Sequence, residues 1–498
     1  MAENVQLQKV TSPRALFRQP LALQWFQDGE LKKRKDDERQ AGKSLKIHCD
    51  FPHILKLFID RSPGRFELFL DLLYVAILAN FAENLAEHAS GVGVVKYIVR
   101  MTNWTKQNLR SWLMLVQLIL APSWHIWSDL RELMNSFYND DLAQRVLILW
   151  IMAILVVYGN NATLVDEDIG ALRAAVGAYM VGRLTTNCVH LIYSFASYHH
   201  RAQQRLWFCL STLALCIYIP LYVEDLSFRS KIAVAAVGIT VEESIWIFSY
   251  SPAAKKLLNA RYTTAVDIPH EVDRFAAFYI IVLGEFLYQI IVGSPAVIGF
   301  NLPLLRAIWT LVIAFCLNWL YIHGDGSLES LHPLRHSIYA SFTWVTIHLP
   351  MLASLLVAGH VSAASTKVTE VHEPELWLLC GGLGVGLFCL YIIALLHGSK
   401  DPPGTLILPK HFRLIFRPIC AIIIICLPLS HGLDITSFLS IIMALIAFIV
   451  IWENITSLMR GAKFWEKWEN TKYPDEESHR SNTTGNGEGE VEKAARSL

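Results

Sequence analysis

Leu376–Leu396 reads LWLLCGGLGVGLFCLYIIALL and contains no Asp, Glu, Lys, Arg or His. A bilayer core about 30 Å thick is crossed by about 20 residues of helix. Backbone groups in hydrocarbon must bond within their own segment, so an apolar run of this length is a transmembrane helix. The glycines from Gly381 to Gly386 lie inside this span and read as small residues for close helix packing, not as a phosphate loop.

Working outward, similar runs recur along the chain. Before Leu376 they are Phe66–Glu87, Leu109–Trp127, Arg145–Tyr158, Ala171–Ser194, Leu206–Val223, Lys231–Tyr250, Phe275–Gly293, Pro303–Ile322 and Ile338–Gly359. After it come Phe412–Leu429 and Asp434–Trp452. The expected fold is an all-α, polytopic transmembrane helical bundle of about 12 spans. Composition agrees: of 498 residues, 53% are hydrophobic and 17% charged, against roughly 25% charged in a soluble domain. The lipid bilayer is therefore the expected partner. The formal net charge of zero gives no ground for a nucleic-acid partner. The nine cysteines form no C-x-x-C pair, so neither a disulfide framework nor a structural metal is expected, and no cofactor motif is present.

Residues 1–64 form a polar segment, 65–459 the transmembrane domain and 460–498 a polar tail that reads as disordered. Lys and Arg are concentrated before the first span, around Arg201, Lys255 and Lys410, and after the last span. The positive-inside rule then places both termini in the cytoplasm, in a plasma membrane or endomembrane. Sequons at Asn103 and Asn161 fall on the opposite side and are candidate glycosylation sites. Arg65-Phe66-x-x-Phe69 and Arg274-Phe275-x-x-Phe278 open the first and seventh spans. A duplication of six spans would produce this similarity, and so would the common placement of Arg and aromatic residues at helix ends.

Arg65-Phe66-Glu67-Leu68-Phe69-Leu70-Asp71-Leu72 resembles the E-L-F-F-D-L signature of the bacterial low-temperature-requirement A family. Pro269-His270-Glu271-Val272-Asp273-Arg274-Phe275 and Ile280-Ile281-Val282-Leu283-Gly284-Glu285 resemble its second signature. Asn139-Asp140-Asp141-Leu142 through Arg145, Tyr179 to Arg183, Leu317 to Tyr321 and Ile347 to Pro350 are similar to its other segments, in the right order. The sequence departs at Asp273, Ala276 and Phe286, where the family has Glu, Gly and Ser. The resemblance implies a multispanning membrane protein and supplies no reaction.

The informative residues are the charges inside apolar spans, each costing roughly 2.5–3.5 kcal/mol at a helix centre. Glu67 and Asp71 share one face of the first span. Either Glu67 snorkels to the interface while Asp71 accepts a bond from a neighbouring helix, or the pair lines a cation or proton path. Arg183, Asn187 and His190 form a polar stripe on the fourth span, either to bind the bundle together or to line a cavity. Glu242 and Glu243 point about 100° apart and need different partners, one of them Arg183. Arg274, Glu285 and Gln289 share a face of the seventh span, with Arg274 at the membrane edge and Glu285 about 16 Å deeper. Gly284 beside Glu285 would admit close approach of another backbone. His348 precedes Pro350, which is expected to kink the ninth span; the His is either packed or part of a cation site. The acidic excess favours a secondary transporter or permease for a small solute or ion, coupled to protons or cations through Asp71, Arg183, Glu242, Glu243, Glu285 and His348. Glu67, Asn187, His190, Arg274 and Gln289 are expected to support them. A membrane-embedded acid/base enzyme acting on a lipidic substrate and a non-catalytic structural or regulatory protein remain as alternatives.

Overall fold

The structure, a computed structural model, describes residues 16–17, 19–27, 30–33, 64–87, 120–139, 141–165, 167–292, 299–367, 373–430 and 432–462. The Asn103 sequon, the start of the second expected span and nearly all of the 460–498 segment lie outside them. The long helices are α1 Arg65–Glu87, α2 Ala121–Phe137, α3 Leu142–Ala162, α4 Ile169–Ala196, α5 Arg201–Ala214 and α6 Phe228–Ser249. They continue with α7 Ile268–Ile291, α8 Leu302–His323, α9 Ile338–Lys367, α10 Glu373–Leu396, α11 Phe416–Cys426 and α12 Ile435–Thr456. Local chemistry sets the starts of several. The carboxylates of Asp141, Asp168 and Asp434 accept from backbone N–H groups at the heads of α3, α4 and α12, and Asn301 does so for α8.

The protein is a multi-pass helical membrane protein. Among the described residues, nine helical segments are long and apolar enough to cross a bilayer, so the expected count of about twelve is not reached by that measure. The other three long helices are α1, α2 and α4. The described part of α2 begins only at Ala121, α1 carries Glu67, Asp71 and Glu83, and α4 bears a stripe of buried polar side chains.

The two halves pack alike. α1 on α3, α3 on α4, α4 on α5 and α5 on α6 recur as α7 on α9, α9 on α10, α10 on α11 and α11 on α12. Both α5 and α11 run on into a 3-10 segment containing a proline, Pro220 in one and Pro428 in the other. The halves meet where α1 packs on α7 and α9. The glycine stripe of α10 does bring backbones together: a Cβ at Gly382 would lie 2.5 Å from the Ser354 carbonyl oxygen of α9.

Part of the polar N-terminal segment is ordered against the bundle. Strand β1 (Gln24–Gln27) pairs with β2 (Glu30–Lys33) and with β3 (Tyr262–Thr264), which lies between α6 and α7. Leu23 N–H donates to the Ser136 carbonyl in the last turn of α2 (3.1 Å), and the His200 Nε2–H donates to the Gln24 carbonyl (3.1 Å). In the other half, β4 (Ser330–Leu331) pairs with β5 (Gly398–Ser399), and Arg460 N–H donates to the Thr405 carbonyl. The N-terminal strands therefore meet the end of α2 and the α4–α5 and α6–α7 connections, while the α8–α9 and α10–α11 connections and the end of α12 meet one another.

Candidate functional site

Helix α2 organises the site. The sequence ends the second span at Trp127, because Ser128–Phe137 (SDLRELMNSF) is polar; in the structure the helix runs on to Phe137 with most of those side chains buried. His125, Asp129 and Glu132 follow i, i+4, i+7 spacing along one side, and Trp127 and Arg131 an i, i+4 spacing along another.

The first side faces α4 and α6. Arg183 forms an ion pair with Asp129 and lies 3.4 Å from Glu242. Thr186 Oγ1 donates to Asp129 (2.9 Å). The Tyr179 and Tyr218 hydroxyls both donate to Glu242, Tyr218 at 2.8 Å. His125 bridges the adjacent acids, with Nδ1 3.1 Å from Glu242 and Nε2 2.9 Å from Glu243. An imidazole with a carboxylate on each ring nitrogen can take a proton from one side and release it to the other. The expected meeting of one adjacent glutamate with Arg183 is present, as Glu242. Both acids nevertheless share one further partner, His125, which the spacing argument does not supply.

The second side faces α1 and α7. Asp71 accepts from Trp127 Nε1 (2.7 Å) and Arg274 Nη2 (2.8 Å). Arg131 pairs with Glu271, and Asn135 Nδ2 donates to the same carboxylate (3.1 Å). Glu67 is 3% exposed, with His270 Nε2 at 3.2 Å, Arg274 at 3.8 Å and the Gly64 N–H donating at 2.6 Å. Of the two alternatives for Glu67, the snorkelling one does not hold: His270 and Arg274 supply partners inside the bundle. Arg274 is buried on α7, which starts at Ile268, about two turns before Phe275.

Glu285, Gln289 and His348 stand apart from this network, whereas Asn187 reaches it through Ser211, which Arg183 also approaches (3.5 Å). Among the described residues, Glu285 bonds Gln289 (2.8 Å) and has no ion pair. No described atom lies within 4 Å of a Cβ built on Gly284, so the expected close backbone approach does not occur there among the described residues. His348 is packed: Nδ1–H donates to the Trp344 carbonyl (2.6 Å), Nε2 is 3.2 Å from the Tyr321 hydroxyl, and Phe275 covers the ring at 4.4 Å. Helix α9 continues through Pro350. Asn187 bonds Ser211 (3.0 Å), and His190 is buried with Nδ1 unpartnered among the described residues. Asn161 ends α3, its amide donating to the Val157 carbonyl (2.8 Å). Among the described residues no cluster of His, Cys, Asp or Glu is arranged to hold a metal.

A cavity of about 470 Å³ adjoins the network. The first half contributes Arg131, Glu132, Asn135, Trp246, Ser249 and the connection from Ser251 to Val266; the second contributes Glu271, Leu334, Ile338, Ser341, Phe342 and Val345. A smaller space of about 30 Å³ between His125, Asp129, Arg183, Glu242 and Glu243 shares Glu132 and Trp246 with it. The cavity thus lies between the two halves, with the acid–base network beside its inner end. A separate buried pair, Arg417 to Glu453 (2.6 and 2.7 Å), ties α11 to α12, and its guanidinium also donates to carbonyls of Leu390, Leu320 and Gly324.

No curated protein and no solved structure matches the chain. The family described as "Bacterial low temperature requirement A protein (LtrA)" matches residues 64–452, most of the length, and the chain belongs to that family.

Proposed function

We propose that this protein is a secondary transporter coupled to protons or another cation. The supporting observation is the 470 Å³ cavity between two similarly packed halves, with buried acids of both halves at its inner end. Secondary transporters place their sites at such repeat interfaces, and intramembrane ionisable groups mark ion or proton paths. The coupling residues in this reading are Asp71, Glu242 and Glu243, with Arg183 and Arg274 as counter-charges and His125 as the relay between the two glutamates. A purely structural role predicts that each buried carboxylate has a basic mate; Glu132, whose Oε1 is buried, has no ion pair among the described residues. In this reading the positive-inside rule puts the part of the cavity lined by Lys255 towards the cytoplasm.

The test is proton movement in sealed proteoliposomes containing a trapped pH dye. The wild type should relax an imposed pH gradient in a solute-dependent way, and Glu243→Gln should abolish that relaxation while retaining its elution profile. Equal fluxes from wild type, Glu243→Gln and empty liposomes would reject the reading.

A further inference from the structure

Three side chains on the cavity wall carry buried polar atoms without a hydrogen bond: Ser249, Glu132 and Arg131, whose Nε and Nη1 are unbonded although its guanidinium pairs with Glu271. Ser249 is 3% exposed, and its Oγ makes no hydrogen bond. Glu132 Oε1 is likewise buried and unbonded, and the carboxyl has only the neutral indole of Trp246 in hydrogen-bonding reach. The neighbouring acids are matched: Asp129 and Glu242 by Arg183, Glu271 by Arg131, Asp71 by Arg274 and Glu243 by His125. Glu132 is the carboxylate of this network with no ion pair among the described residues, and it lines the cavity.

A buried acceptor left unbonded is costly, and a carboxylate in such a place attracts a cation with N–H groups to donate. The wall beside it is aromatic. Trp246 and Phe342, one from each half, meet edge to face at 4.5 Å, and Tyr250 lies on the same wall. Such a wall suits an apolar body and the faces of its rings attract cations. The volume falls in the range of small-molecule sites.

We propose that the cavity binds a small organic cation, a protonated amine on an aromatic or aliphatic body. The ammonium is held by Glu132, with Ser249 Oγ accepting a second N–H and Trp246 and Phe342 enclosing the body. This names the substrate class for the transport reading above and rests on it.

The test is binding to the full-length protein in detergent, read by calorimetry, with phenethylamine as the probe. Its neutral counterpart 2-phenylethanol and the anion 3-phenylpropionate, of similar shape, serve as comparisons. Phenethylamine should bind at least tenfold more tightly than either. Glu132→Gln should remove that preference, and Ser249→Ala should weaken amine binding several-fold while the elution profile stays that of the wild type. Should Glu132→Gln fail to fold, Glu132→Asp and Trp246→Leu decide: both should weaken amine binding, leaving that of the neutral analogue less changed. Equal binding of the three compounds, tighter binding of the anion, or amine binding indifferent to these substitutions would overturn the proposal. Amine binding without proton flux in liposomes would instead reject the transport reading and leave the site standing.

Discussion

Asp71 on α1 accepts a hydrogen bond of 2.8 Å from Arg274 on α7, so this buried ion pair joins the first helix of one half to the first helix of the other. Trp127 donates to the same oxygen (2.7 Å) and stacks on Phe278 at 5.1 Å, which fixes the pair within an aromatic layer between the halves.

Breaking one side of such a pair strands a buried charge, which costs about 3–5 kcal/mol. Asp71→Asn or Arg274→Gln alone should therefore markedly lower the thermal midpoint in detergent. The double variant should recover at least about 1 kcal/mol relative to the sum of the single losses. Additive losses would show that the two side chains are not coupled.

Arg417 and Glu453 form an equally buried pair far from the cavity wall. Glu453→Gln should destabilise the protein by about 3–5 kcal/mol. Proton flux per folded molecule should stay at the wild-type value. Loss of flux from a normally folded Glu453→Gln would extend the functional network to α11 and α12.

Gly382 on α10 lies against the Ser354 carbonyl of α9. A backbone carbonyl cannot swing aside as a side chain does, so Gly382→Ala should cost about 1–3 kcal/mol through forced separation of the helices. Thermal unfolding of the purified variant measures it; an unchanged midpoint would contradict the close approach.

His200, in the α4–α5 connection, fixes the N-terminal strand through the Gln24 carbonyl. Burial pushes its imidazole down to about 4, outweighing the hydrogen bond that favours the charged form. A folded value below the unfolded one means that protonation favours release. The docked state should be fully held above about pH 6.5 and weaken as pH falls towards 4. Hydrogen exchange of residues 22–27, corrected for the intrinsic pH dependence, should accelerate across that window in wild type. In His200→Gln the acceleration should be absent.

The apolar runs exposed the helices, because a bilayer imposes their length. They also exposed Asp71, Arg183 and Glu242, whose charges interrupt otherwise apolar faces. His125, Asp129, Arg131 and Glu132 were hidden for a physical reason. Past Trp127 their helix is polar enough to read as a loop, and Asp129 and Arg131 are buried there because α4 and α7 supply opposite charges from up to 140 residues away, while His125, inside the expected span, finds its acids on α6. The i, i+4 spacing of His125 with Asp129 and of Trp127 with Arg131 was the available signal. Glu285 shows the converse: its depth along α7 was readable, but periodicity does not say which neighbour a face meets.

Coupled transport through this cavity requires the two halves to move about it. Spin labels at Leu258 and Leu334, which line it from opposite halves, report that motion by pulsed distance measurement in liposomes. Two distance populations should exchange weight between alkaline and acidic buffer, and Glu243→Gln should fix the protein in one of them. A single distance, identical in both buffers and in the variant, would contradict the account.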